Sequence, residues 1–244
     1  MRFPDPYALR REEPKETVAF AASQRQGEAD TQEDYFLNFN DECFVVTDGV
    51  SLLPHGEVAA KLAAETAIWA YKHIRQHRYY FLDKRFFMKR LFRTTNMAVW
   101  QKHREEGFTD GMATTLLVLM VGAKNAWVGN AGDSCAWILK NGVVKKIAGD
   151  KKDFASVPPR ALGLKRLGLV PAFAVMPFDK GDVLLLATDG ASDYLTPSDI
   201  QAGMMAAGTT VADITAAVTS VLSAAQTNGA KENMTVCMVT RLPR

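Results

Sequence analysis

Leu184-Leu185-Leu186-Ala187-Thr188-Asp189-Gly190 is an apolar run that ends in Thr-Asp-Gly, and Phe44-Val45-Val46-Thr47-Asp48-Gly49 has the same grammar. A near-continuous apolar strand implies burial on both faces, so each run delivers a carboxylate at the tip of a buried strand. Such a carboxylate is costly to desolvate unless it meets a counter-charge. The glycine that follows lets the backbone turn sharply and leaves its carbonyl accessible. One Asp-Gly pair alone reads as a turn. Two copies weaken that reading. So does the passage of Asp48-Gly49 through "VSLLPHGE" into a helical pattern, where a hairpin needs a second strand.

Three further acidic sites sit in related places. Gly132-Asp133-Ser134 follows "AWVGNA", Glu232-Asn233 precedes "MTVCMV", and Glu33-Asp34 precedes "YFLNF". Each alone reads as a solvated strand cap. Jointly, five acidic strand ends point to a shared cation site, and all-oxygen donors suit Mg²⁺ or Mn²⁺ better than Zn²⁺.

Around these ends the chain separates runs of strands from runs of helices. Strand patterns cover Thr17 to Ser23, Tyr35 to Asn40 and Cys43 to Thr47, and helical periodicity covers Gly56 to Arg75 and Asp83 to Glu106. A meander follows through "ATTLLVLMVG", "NAWVGNAG" and "CAWILK-NG-VVKKI", where Asn141-Gly142 signals a type I′ hairpin. After a loop from Gly149 to Pro171 come strands at Ala172 to Val175 and Asp182 to Thr188. Helices near Pro197 to Ala207 and Val211 to Gln226 precede a last strand at Met234 to Thr240. This order predicts an α+β fold of mostly antiparallel sheets with helices packed outside. Residues 1–16, with three prolines among alternating charges, read as an extended or disordered tail, and residues 17–244 as one domain.

The 244 residues are 48% hydrophobic and 23% charged, ordinary for a globular protein. Lys+Arg 29 against Asp+Glu 27 gives +2, with no block of like charge long enough to read as a nucleic-acid arm. Cys43, Cys135 and Cys237 each lie in an apolar run, as buried thiols of a reducing compartment do. No stretch approaches the ~18 uncharged apolar residues of a membrane span. The expected location is cytoplasmic, with no nucleic-acid or membrane partner; oligomeric state is not legible.

In order and spacing, these residues resemble the type 2C metal-dependent Ser/Thr protein phosphatases, the PPM family in its bacterial-like minimal form, from about Ala19 to Arg241. The resemblance rests on Glu33-Asp34, "DGV…HGEVAA" at 48–60, "GMATT…GNAGDS" at 111–134, "LLLATDGASD" at 184–193 and "KENMTV" at 231–236. "RALG" at 160–163 is similar to the segment the family carries between its GDS and second DG motifs. It implies a four-layer α-β-β-α sandwich and hydrolysis of phosphoserine or phosphothreonine in proteins by water activated between two cations, Mn²⁺ or Mg²⁺. It also implies roles. Asp48 would bridge both ions, Asp189 and Glu232 would hold the first, and the Gly49 carbonyl and Glu33 the second. Asp34 would orient a water, while Asp133 and Asp193, with Asp189, would form the third-ion site of some members. Asp48, Asp189 and Asp34 are thus the catalytic candidates.

The chain departs from the family pattern at three places. Ala29 stands where an arginine usually grips the substrate phosphate, leaving Arg25, Lys151, Lys152 or Arg160 as candidate substitutes or as plain solvated charges. Val50-Ser51-Leu52 replaces a glycine-rich continuation, and Glu232 replaces aspartate. These departures support a second reading, a catalytically impaired scaffold that binds a phosphoprotein or regulatory partner; a phosphatase for a small metabolite is a third. His73 and His77 at i, i+4 lack the glutamate of a zinc motif, and the aromatics Tyr79, Tyr80, Phe81, Phe86 and Phe87 read as core packing.

Overall fold

The strands expected from the apolar runs pair into two five-stranded sheets, ordered β1-β10-β9-β6-β7 and β2-β3-β4-β5-β8. The computed structural model describes residues 18–76, 83–149 and 160–242. The expected tail, Thr17, His77, Tyr79, Tyr80, Phe81, Lys151 and Lys152 lie outside the described residues. The first sheet comprises β1 (Val18–Arg25), β10 (Met234–Arg241), β9 (Val183–Ala187), β6 (Cys135–Lys140) and β7 (Val143–Ala148). The second comprises β2 (Asp34–Phe39), β3 (Cys43–Asp48), β4 (Leu116–Val121), β5 (Asn125–Ala131) and β8 (Ala172–Pro177). All of these pairings are antiparallel.

Helices α1 (Gly56–Ile74) and α2 (Lys84–Lys102) cover the second sheet, and α4 (Pro197–Ala206) and α5 (Val211–Thr227) cover the first. Alternation along the strands explains the four layers. Phe44, Val46, Leu117, Leu119, Leu184, Leu186, Cys237 and Val239 meet between the sheets. Their neighbours Val45, Leu116 and Val118 turn outward onto Ala64, Tyr71 and Leu91, while Leu185, Val236 and Met238 turn onto Ile200, Val218 and Leu222. Both faces are buried, which is why these strands read as continuous apolar runs rather than as alternating ones.

Helix starts follow local chemistry. Thr196 with Asp199, and Thr210 with Asp213, form capping boxes, and Asp83 accepts from the Arg85 and Phe86 amides. Asn141 and Gly142 have positive φ (51° and 77°), as a type I′ turn requires. The second helix ends at Lys102, short of the expected Glu106, and β8 extends to Pro177 at the outer edge of its sheet, where a missing N–H breaks no ladder. A short helix not anticipated from sequence, α3 (Asp189–Ser192), starts on the second Asp-Gly; four residues are too few to show a helical period. No described helix is long and apolar enough to cross a membrane.

Candidate active site

Antiparallel register brings the acidic strand ends to one end of the sandwich. In the second sheet Asp34, opening β2, lies directly opposite Asp48, closing β3. In the first, the end of β9 at Ala187 lies beside Val236 near the start of β10 and beside Cys135 at the start of β6. The sheets are joined at this end: Asp34 Oδ2 accepts from Thr188 Oγ1 at 2.8 Å and from Thr235 Oγ1 at 2.7 Å, both on the opposite sheet's strand ends. Asp133 sits in the link that carries the chain from β5 in one sheet to β6 in the other.

Asp34 is 1% exposed, and its other oxygen, Oδ1, is buried without a hydrogen-bond partner, although the Asp48 carboxyl lies close enough to share a proton with it. Burial pushes the Asp34 carboxyl up to about 7; the Thr235 and Thr188 hydroxyls pull against this, and the Asp189 charge adds to it. Asp48 keeps a partly open edge, yet burial of its carboxyl, followed by the charges of Asp189, Asp34 and Asp133, holds its pKa well above the usual carboxylate range. Four carboxylates from four strand ends therefore sense one another. As the side chains stand, no group of three or more described His, Cys, Asp or Glu residues closes tightly enough to hold an ion. The oxygen-only donors and the buried Asp34 Oδ1 fit a hard divalent cation.

The remaining expected residues lie around this centre. Gly49 donates its amide to the Glu33 carbonyl at 3.0 Å, and a Cβ at Gly49 would strike the Gly56 backbone, its Cα at 2.7 Å, so glycine is required for α1 to start here. The Glu33 carboxyl packs on Gly56, and its pKa is raised by burial and then by Glu57. Glu232 and Asp193 stand at the exposed rim. The Glu232 Cβ lies 3.1 Å from where a Cβ of Gly190 would be, and the Asp193 amide bonds to the Asp189 carbonyl at 2.9 Å. Val50, from the departed glycine loop, is buried against Ala113 and Ala161.

The two basic candidates differ. The Arg25 guanidinium turns to the outer face of its sheet, where it donates to Gln226 Oε1 at 2.5 Å and Ser223 Oγ at 3.3 Å on α5; the structure does not aim it between the sheets. Arg160 opens the segment that docks beside the first Asp-Gly: Leu162 bridges Thr114, which in turn bridges Gly49. Asn96 of α2 clamps this segment, accepting from the Gly163 amide at 3.0 Å and donating to the Lys165 and Arg166 carbonyls at 2.9 and 3.2 Å.

Several participants escaped the sequence reading. Thr188 and Thr235 neutralise part of the Asp34 desolvation, and Thr114 Oγ1 and the Thr115 amide hold the Asp48 carbonyl at 2.9 and 2.8 Å. Thr115 Oγ1 accepts from the Asp48 amide and meets Ser134 Oγ at 3.0 Å. The Thr before each Asp-Gly was visible, but which carboxylate a hydroxyl meets depends on the pairing of strands remote in sequence.

The Protein phosphatase 2C family profile matches residues 23–236. The chain is 23% identical to "Serine/threonine phosphatase stp" of Listeria monocytogenes serotype 4b (strain F2365), with 83% of this chain and 85% of the relative covered. Among solved structures it is similar to the catalytic domain of the serine threonine protein phosphatase PstP in complex with 2 manganese ions, with TM-score 0.75, 20% identity, and 93% and 99% of the two chains covered. It is also similar to serine/threonine phosphatase Stp1 from Staphylococcus aureus, with TM-score 0.78, 19% identity, and 92% and 95% covered.

Proposed function

Because the chain belongs to the Protein phosphatase 2C family, we propose that it removes phosphate from phosphoserine and phosphothreonine of protein substrates at the acidic end of its sandwich, with Mn²⁺ or Mg²⁺ as cofactor. The observation that carries the assignment of the site is the coupling of Asp48 with Asp189, Asp34 and Asp133, delivered by strand ends far apart in sequence. The PstP relative, whose structure holds two manganese ions, supports the same chemistry here.

Two divalent cations, when bound, make water a nucleophile near neutral pH and offset charge developing on the phosphoryl oxygens. The chain's own residues supply the rest. Asp48, Asp189, Glu232, Glu33 and the Gly49 carbonyl would hold the ions, with Asp133 and Asp193 beside Asp189 available to a third. Thr114 and Thr115 grip the Asp48 backbone and so fix where its carboxylate points. Asp34, locked by two hydroxyls, is placed to orient a water. Arg160, on the segment bridged to Thr114, is the better placed of the two basic candidates to meet a phosphate. The three buried free thiols support a reducing, cytoplasmic setting.

Hydrolysis of p-nitrophenyl phosphate and of phosphothreonine peptides, followed with and without chelator, tests the reading. Activity that needs Mn²⁺ or Mg²⁺ and is lost in Asp189→Asn supports it; no turnover across a full Mn²⁺ titration sinks it.

A further inference from the structure

Helix α2 carries a run of charge that the proposed chemistry does not use. Within its residues 84–102 lie six Lys or Arg and no Asp or Glu, in a chain whose formal net charge is only +2. Positive charge is therefore concentrated on one helix. Its apolar side, with Phe87, Met88, Leu91, Phe92 and Val99, is buried against the second sheet, and Arg85, Lys89, Arg90 and Arg93 are exposed on the other. None of these four makes an ion pair among the described residues, whereas Arg75, Lys140 and Lys231 elsewhere on the surface do, as does Lys102 at the end of α2 with Glu105. Arg85, Lys89 and Arg93 follow one another at i, i+4, i+8, where like charges repel and destabilise the helix. A merely solvated helix face intersperses acids to relieve this; α2 does not.

We propose that this face docks an acidic segment of the protein substrate, a stretch rich in Asp and Glu displaced along the chain from the phosphorylated residue. The proposal rests on the phosphatase reading for its substrate and on α2 for its geometry. At its C-terminal half α2 clamps the segment at 160–166 through Asn96, and that segment is bridged through Thr114 to Gly49 at the acidic end. The stripe's C-terminal end, Arg93, is thus one helical turn from the residue that holds this segment. Its arginines offer planar donor forks suited to carboxylates. With a helix rise of about 1.5 Å per residue and an extended chain near 3.3 Å, the stripe from Arg85 to Arg93 spans about 12 Å, the reach of about four extended residues of an acidic segment. A membrane fits less well. The apolar side of α2 is already buried, and Trp100 is covered by the Arg104 and Arg166 guanidiniums, leaving Phe86 as the exposed aromatic of the stripe.

The test compares two phosphothreonine peptides that are identical around the phosphoresidue, one continuing into an Asp/Glu run and the other into Ser and Asn. With the full chain at low salt, the acidic peptide should show a KM lower by about tenfold, a gap that closes as salt rises. Arg85→Gln/Lys89→Gln/Arg93→Gln should erase the gap while p-nitrophenyl phosphate turnover is unchanged; glutamine keeps helix propensity, and circular dichroism checks the fold. Fluorescence anisotropy with the unphosphorylated acidic peptide reads the docking alone, so it still decides should no peptide be hydrolysed. An unchanged gap and unchanged anisotropy in the triple variant overturn the proposal. So does loss confined to binding of single-stranded DNA or of phosphatidylserine vesicles, with peptide binding intact.

Discussion

At Asp34 opposing influences act on one carboxyl. Burial and the Asp189 charge raise its pKa, two threonine hydroxyls lower it, and the balance falls at about 7. Thr235→Val removes one donor from a group with no compensating water-exposed edge. The expected loss is about 1.5–3 kcal/mol where Asp34 is ionised, and less at acid pH, measured by urea unfolding at two pH values. Asp189→Asn has two effects of opposite sign. It should lower phosphatase activity by at least about a hundredfold, yet raise the melting temperature of the chelated protein, because it deletes a charge that destabilises ionised Asp48 and Asp34. A variant that lost activity but gained no stability in chelator would show that repulsion does not govern this cluster. At this scale the sequence displayed the acids and their order. It could not display Thr188 and Thr235 as the partners of Asp34, since those contacts join residues more than 150 positions apart.

Among the elements, the start of β10 depends on two glycines. A Cβ at Gly190 would meet the Asn233 carbonyl oxygen and the Glu232 Cβ, and one at Gly27 would meet the carbonyls of Lys231 and Glu232. Neither glycine has positive φ, so close approach and not conformation makes the demand. Gly190→Ala should therefore push Glu232 outward, with activity and Mn²⁺ affinity falling more than ten-fold, about the loss typical of a disturbed ligand shell, while far-UV circular dichroism keeps its native shape. Asn96→Leu should free the segment at 160–166 by removing three hydrogen bonds. A rise in KM for phosphopeptides with α2 intact is the expected result, and unchanged kinetics would dissociate this segment from substrate binding. Long helices and buried strands were legible because their periods repeat over many residues. The four-residue α3 and the single bridges from Gly49 through Thr114 to Leu162 leave no period to read.

For the molecule as a whole, the site is a place where folding and charge conflict. Asp34 has an ordinary carboxyl pKa of 3.8 when unfolded and about 7 when folded, so well below pH 3.8 both states are protonated and nothing is lost. As pH rises toward 7 the unfolded state ionises first, and stability falls by about 1.4 kcal/mol per pH unit for each such group. Metal-free protein should therefore melt at progressively lower temperature as pH rises from 4 to 7. Mn²⁺ at a hundred times its dissociation constant should restore about 2.7 kcal/mol at neutral pH. A melting temperature indifferent to both pH and Mn²⁺ would contradict the site.

The sequence by itself determined the alternation of apolar runs and helical faces, and hence the α+β class. It also determined the placing of five acids at strand ends, because periodicity and strand-terminal position are local properties. Only the tertiary structure decided that those ends share one edge of the sandwich, that Arg25 turns to α5 while Leu162, two residues after Arg160, is bridged through Thr114 to Gly49, and that Val50 packs on Ala113 and Ala161. Antiparallel register and inter-sheet packing set these outcomes, and both are contacts between residues distant in the chain, whose free energy no local pattern records.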